Sequence, residues 1–406
     1  MKNITPLGLF IVWVAFIGCD STTSTEESAA DQLSRDFSPE QKELIEKIRQ
    51  TDILEWTPDM QLLGYQNTHE VSPVRYLKPS DNPYPLPESE EPIKNLQYGY
   101  NGQQRELDFY LDSMRVAGLL VIHEGEIILE TYGDEHDEVT TWNSFSVTKS
   151  VLSMMFGAAI ADDYIRGVED YVTRYLPELR GSAYEDVTLE HLLWMGSGVA
   201  WNEDYTDPQS DVATLDLIED TDEFIAYMAD LERAHEPGST FNYSTGEVNL
   251  AGVVLQEAVG STLTEYANER IWQGFGMEHP ASWSLIGEEA TEHGGCCISA
   301  TLRDYGRMGM MAKKRGENHQ DESLLPESWM ERSVTPSAVN EEYGYLWWLQ
   351  DEGVFNGSGI FGQYLYINQE EKLIIAMQSK WKEATGPEYT DHRASFIEGI
   401  RNEVLK

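Results

Sequence analysis

Ser146 and Lys149 stand three residues apart at the head of an apolar run, Ser146-Val147-Thr148-Lys149 leading on through Ser150 to Ile160. Positions i and i+3 of a helix share a face, so the amine can come within reach of the hydroxyl. A serine paired with a base is a nucleophile for acyl transfer. A lysine at the mouth of a buried helix is partly stripped of water, which lowers its pKa and suits it to act as that base near neutrality. The helix start adds unpaired N–H groups and a partial positive charge, both suited to a developing oxyanion. On its own, Ser-x-x-Lys is equally an N-cap serine followed by a solvated lysine. Trp142 and Phe145 before it, and the nearly charge-free stretch after it, favour the chemical reading.

Two further segments could complete such a site. Glu236-Pro237-Gly238 is a turn that leads to Tyr243, flanked by small hydroxyl residues, ahead of a helix-like segment from Glu247 to Val259. A phenol there could relay a proton, accepting from the serine as phenolate and donating to the leaving group as phenol. The plain alternative is one of 21 tyrosines packing its ring. Gly357-Ser358-Gly359-Ile360-Phe361-Gly362 reads as a loop whose glycines allow backbone to approach a ligand. The N–H of Ile360 with that of Ser146 would form a two-donor oxyanion hole.

The elements that must position these groups lie on both sides of them. Leu119–Ile122 and Ile127–Leu129, separated by His123-Glu124-Gly125-Glu126, predict a β-hairpin directly before the Ser146 helix. Tyr343–Leu349, Tyr364–Ile367 and Leu373–Met377 predict three more strands, the last two joined by a turn at Asn368–Glu371, and His392–Leu405 a closing helix. Ser38-Pro39 opens a helix over Gln41–Thr51, and the prolines between 71 and 93 predict an extended wrap. Helical periodicity dominates the middle. The fold class expected is α/β of the α+β type: an antiparallel sheet built from both ends of the chain, flanked by helices, with a mostly helical subdomain inserted at about 157–300 and the cleft between the two parts.

The 406 residues can bury a large core. With 28 basic against 71 acidic side chains the formal charge is −43, which excludes a phosphate-backbone binder, so no nucleic-acid partner is expected. Lys2, the apolar run Leu7–Ile17 and Gly18-Cys19 resemble a bacterial lipoprotein signal. Cleavage before Cys19, lipid on its thiol, a tether over 19–37, a hydrolase domain over 38–406 and a place in the cell envelope or periplasm are the expectations, with membrane contact only through the lipid. An ordinary signal peptide is the alternative. The remaining thiols, Cys296 and Cys297, are adjacent and poorly placed to bridge, so no structural disulfide is expected. No metal-ligand spacing is present, and no metal or cofactor is expected.

Taken in order, Ser146-Val147-Thr148-Lys149, Leu189 to Val199 and Pro237-Gly238 through Tyr243-Ser244-Thr245 resemble the serine hydrolase family of class C β-lactamases and D-alanyl-D-alanine peptidases. Trp201 to Pro208 and Gly359-Ile360-Phe361-Gly362-Gln363 are similar to its 6-aminohexanoate-dimer hydrolase branch. The resemblance implies a β-lactamase/transpeptidase-like fold with Ser146 as nucleophile, Lys149 as base, Tyr243 as proton relay, and Ser146 and Ile360 N–H as oxyanion donors. It also implies substrate contacts at Tyr205 and Gly359. Two departures stand out. Tyr243-Ser244-Thr245 ends in threonine where β-lactamases have asparagine, and Gly357 stands where they carry lysine or histidine, removing a partner for the β-lactam carboxylate. A small-molecule ester or linear amide is therefore the expected substrate. A β-lactamase or D-alanyl-D-alanine carboxypeptidase and a non-catalytic envelope sensor are the alternatives. Oligomeric state is left open by the sequence.

Overall fold

The computed structural model describes residues 29–133, 135–287 and 290–406. Cys19 and the signal segment lie outside them, as does the first part of the expected tether; from residue 29 the chain opens with a helical turn over 29–33 in which Ala29 and Leu33 are buried.

Six strands form the main sheet: β1 (Val116–His123), β2 (Glu126–Tyr132), β3 (Trp348–Leu349), β4 (Val354–Gly359), β5 (Gln363–Asn368) and β6 (Leu373–Ser379). Their spatial order is β2-β1-β6-β5-β4-β3 with every neighbour antiparallel. The two ends of the chain thus meet where β1 pairs with β6, Val121 opposite Ile375. Side chains alternate across a strand, yet Val116–Ile122 is buried throughout. The reason is cover on both faces. Leu119, Val121, Tyr366 and Ile375 pack with Phe396 and Ile400 of the closing helix (Pro387–Val404). Leu120, Ile122, Leu365 and Ile374 turn the other way, into the main core with Met308 and Val151. An uninterrupted apolar run is what a strand sandwiched between two helical layers requires. The β1–β2 turn works because Glu124 and Gly125 both take positive φ, 55° and 96°, the combination that matches strand twist in a tight hairpin.

The structure corrects several expectations. Gly357–Gly359 is not loop: it ends β4, and only Ile360–Gly362 turns. Glycine has low strand propensity, but here it is selected by space. A Cβ on Gly357 would sit 3.0 Å from Ser150 Oγ and one on Gly359 2.6 Å from Ser144 O, so bare backbone lets the strand lie against the start of the Ser146 helix. The Tyr343–Leu349 strand shrinks to Trp348–Leu349, because Leu346 takes positive φ and breaks the run. The first helix is Pro39–Ile48, capped reciprocally by Ser38 and Gln41. Within the mostly helical middle, Ala281–Ser284 and Ile298–Ala300 add strands that join Val74–Leu77 and Trp142–Asn143 in a four-stranded sheet. Cys296 and Cys297 are disulfide-bonded, contrary to expectation; Cys297 lies at φ 80°, a backbone turn that brings neighbouring thiols together.

Candidate active site

Ser146 is the N-cap of α1 (Val147–Ala161), a helix buried on every side. Its approach is unusual: Phe145 holds φ at 45°, a left-handed value that costs a non-glycine residue about 1–3 kcal/mol. Phe361, after Ile360, has φ 59°. Both rings pack on buried Tyr65, Phe145 edge-on at 5.1 Å and Phe361 at 5.9 Å, so one aromatic cluster holds the two strained turns that flank the site. Asn143 Oδ1 accepts from Phe145 N–H at 2.9 Å, and the buried amide of Gln363 donates to Ile360 O at 3.2 Å and to Ser379 O at 2.8 Å. The N–H groups of Val147, Thr148 and Lys149 close onto Ser144, Phe145 and Ser146 carbonyls, whereas that of Ser146 has no acceptor among the described residues.

Lys149 is 2 % exposed and surrounded by acceptors. Its Nζ lies 2.9 Å from Ser146 Oγ, 3.1 Å from Thr245 Oγ1 and 2.7 Å from Gly295 O. Burial pulls its pKa down to about 8, with the carboxylate of Glu203 pulling back the other way. The neighbours dictate where a neutral amine keeps its lone pair. Gly295 O can only accept, and Thr245 Oγ1 gives its own proton to Glu203, so both take N–H bonds. The lone pair is left for Ser146 Oγ–H.

Tyr243 comes from the loop ahead of α2 (Thr245–Val259), which Ser244 caps by accepting from Glu247 N–H at 3.0 Å. The loop is set on the segment around Met195: Asn242 N–H donates to Met195 O at 2.8 Å and Gly238 N–H to Gly196 O at 2.7 Å. The Tyr243 ring stacks on Trp348 at 5.8 Å, Lys149 Nζ lies 5.2 Å from its centroid, and its hydroxyl is near enough to the Ser146 side chain for the serine to favour the ionised form. Burial, and then Glu203, push its pKa well up, so the resting group is a phenol rather than the phenolate first considered.

Glu203 carries these loops, and the sequence reading missed it. One carboxylate oxygen accepts from Tyr205 OH at 2.8 Å and from Thr245 Oγ1; the other accepts from Thr245 N–H at 2.9 Å and from Trp201 Nε1. A signal existed in the quoted stretch, since an acid two residues after a tryptophan and two before a tyrosine can meet both donors across a turn. Thr245 also finds a reason here: it joins Lys149 to Glu203. Ser146, Tyr205 and Ile360 line two adjoining cavities, of about 490 Å³ and about 270 Å³, and Tyr243 and Gly359 line the smaller. Of the predicted site residues, Ser146, Tyr205, Tyr243, Gly359 and Ile360 line these cavities, Lys149 is buried behind Ser146, and Cys19 lies outside the described residues.

A hydroxyl, a partly neutral amine and a phenol thus lie together at the start of a buried helix. Residues 110–397 match the Beta-lactamase family model. The chain belongs to that family. It is 24% identical over 301 residues to a 6-aminohexanoate-dimer hydrolase of Paenarthrobacter ureafaciens, covering 68% of this chain and 75% of that one. A Bacillus anthracis structure assigned by name to the 6-aminohexanoate-dimer hydrolases superposes with a TM-score of 0.75 at 22% identity, over 86% of this chain and 95% of the other. A family VIII carboxylesterase aligns with a TM-score of 0.57 at 16% identity, over 73% and 95%. The fold is that shared by the β-lactamase and penicillin-binding structures, and the chain is a β-lactamase-family hydrolase.

Proposed function

We propose that this chain is a serine hydrolase of small esters or linear amides that works through an acyl-enzyme on Ser146. The observation that carries the reading is the 2.9 Å contact between Ser146 Oγ and an amine whose burial brings its pKa to about 8. Ser146 Oγ attacks the carbonyl carbon as its proton passes to Lys149 Nζ. The oxyanion is met by the N–H groups of Ser146 and Ile360. Tyr243, a phenol at rest, gives its proton to the leaving nitrogen or oxygen, and the proton that Lys149 took from the serine makes good that loss, so that one proton in all moves from Ser146 to the leaving group. Water then enters by the same route in reverse and frees the acid.

The steric position of Gly357 supports an esterase or amidase over a β-lactamase. A Cβ there would already be 3.0 Å from Ser150 Oγ and 3.3 Å from Val147 Cγ1, leaving poor room for the basic side chain that β-lactamases carry. The test is a hydrolysis panel of p-nitrophenyl esters, linear amides, D-Ala-D-Ala peptides and a chromogenic cephalosporin, with intact-mass detection of the adduct. Expected is ester turnover with a transient adduct on Ser146, falling at least about a thousandfold in Ser146→Ala. Unchanged turnover in that variant removes Ser146 from the mechanism, and a persistent adduct makes the protein a sensor. Export with lipid on Cys19 belongs to the same proposal; the mass of the mature N-terminal peptide tests it.

A further inference from the structure

The larger cavity has an unusual piece of wall. Cys296 and Cys297, joined to each other, line it beside Ser146 and are half-buried. The chain on either side of them is pinned. Gly294 and Gly295 lie against α2, where a Cβ on Gly294 would come 2.5 Å from Val248 O, and Asn249 Oδ1 accepts from Gly295 N–H at 2.9 Å. Beyond them Ile298 opens a strand; its N–H donates to Thr148 Oγ1 at 3.0 Å and its carbonyl accepts from Ser144 N–H at 2.9 Å. The two cysteines alone bridge these fixed points. They reach the catalytic groups at both ends. Gly295 O takes the 2.7 Å bond from Lys149 Nζ, and Cys297 N–H donates at 3.4 Å to the carbonyl of Phe145, the residue of positive φ before the nucleophile.

Cys297 holds φ at 80°. Among the described residues the other side chains on positive φ lie at 45–62°, the ordinary left-handed range, so this backbone sits beyond where a Cβ is comfortable. The hydrogen bonds of its own peptide groups are long, 3.4 Å to Phe145 O and 3.3 Å from Ser284 N–H. The covalent link between the two side chains is therefore the strongest restraint on the turn. A turn held mainly by one reducible bond relaxes when that bond is broken.

We propose that the Cys296–Cys297 bridge is a reversible modification site for a small dithiol, and that it sets the rate of the hydrolase through the backbone that positions Lys149 and Ser146. This rests on the hydrolase reading above. A thiolate of the dithiol, entering by the larger cavity, attacks one cysteine sulfur; the Sγ–Sγ bond breaks, a mixed disulfide forms, and the other cysteine leaves as a thiolate and takes a proton. The second thiol of the reagent then displaces the first cysteine and closes a cyclic disulfide. Two electrons and two protons pass to the protein, and the dithiol is oxidised. Freed of the bridge, Cys297 returns to negative φ, its N–H turns from Phe145 O, and the peptide between Gly295 and Cys296 rotates its carbonyl away from Lys149.

The test treats the protein with graded dithiothreitol, removes the reagent by gel filtration, and measures kcat/KM for a p-nitrophenyl ester. Alkylation of the peptide carrying residues 296 and 297 is read by mass in the same samples. Expected is a fall of about tenfold that tracks the fraction of bridge opened, with the melting transition still cooperative, and that reverses on adding glutathione disulfide. Cys296→Ala combined with Cys297→Ala should match the reduced wild type and ignore the reagent. Cys296→Ala combined with Cys297→Gly, where glycine takes positive φ without a bridge, should be at least about threefold faster than the double alanine variant. Full rate in the opened wild type overturns the inference, as do thiols that alkylate without reductant in protein purified in air, or equal rates in the two paired variants. Where those variants do not fold, the wild-type titration decides alone. Ester cleavage that stays dependent on Ser146 leaves the hydrolase reading standing through any of these failures. Cleavage absent from the bridged protein, or indifferent to Ser146→Ala, removes both.

Discussion

Ser146 and Lys149 ride on a single helix packed on all sides, whereas Tyr243, Tyr205 and Glu203 sit on two loops that hold each other. In the first region the helix repeat puts Ser146 and Lys149 on one face, and burial with Gly295 O and Thr245 Oγ1 as acceptors brings Nζ to 2.9 Å from Oγ. In the second it follows from one carboxylate accepting four donors. The difference separates rigidity bought with apolar burial from rigidity obtained by gathering several donors on one partly buried carboxylate. Thr245 is the seam between the two, accepting from Lys149 Nζ on one side and giving its proton to Glu203 on the other.

The helix side should break hardest. Lys149→Met preserves the bulk of the stem and removes the base, so ester hydrolysis should fall about 10²- to 10⁴-fold with the fold intact, read by steady-state kinetics beside a melting curve. Retention of more than a tenth of the activity would transfer the base role elsewhere. The seam comes next. Thr245→Val keeps the shape of the side chain but deprives Lys149 of one acceptor and Glu203 of one donor. Misplaced groups of this kind cost about 10- to 100-fold in rate, and the unmatched polar atoms about 1–3 kcal/mol of stability. Thr245→Ser, which restores the hydroxyl, should recover most of both.

The same division explains how much was legible beforehand. Periodicity carries the helix and strands: the hairpin, β5, β6 and the closing helix were readable because apolar residues recur at the spacing of the element and both sheet faces are covered. The Ser146–Lys149 pair was readable for the same reason. β4 was not, because two of its last three residues are glycines chosen for the closeness of Ser144 and Ser150, a tertiary fact with no local signature. Nor was Glu203, whose four donors come from Trp201, Tyr205 and Thr245, the last over forty positions away.

The pH profile sharpens the comparison at the smallest cost in rate. Lys149 must be neutral to take the serine proton, and its pKa lies near 8, so kcat/KM in the wild type should rise with pH through an inflection close to that value. Glu203 opposes the effect of burial, its negative charge favouring the ammonium form. Glu203→Gln removes that charge while keeping acceptors for some of the same donors. The ammonium is then left with desolvation unopposed, the pKa of Lys149 drops further, and the acidic limb of the profile should shift to lower pH. The plateau rate should change far less than in either variant above. Tyr243 moves in the same direction, since the same carboxylate holds its pKa up, so any basic limb should also shift downward. A merely structural loss would lower the plateau and leave both limbs where they were; a limb that stays put in E203Q would show that the loops position the phenol without setting the charge of the amine.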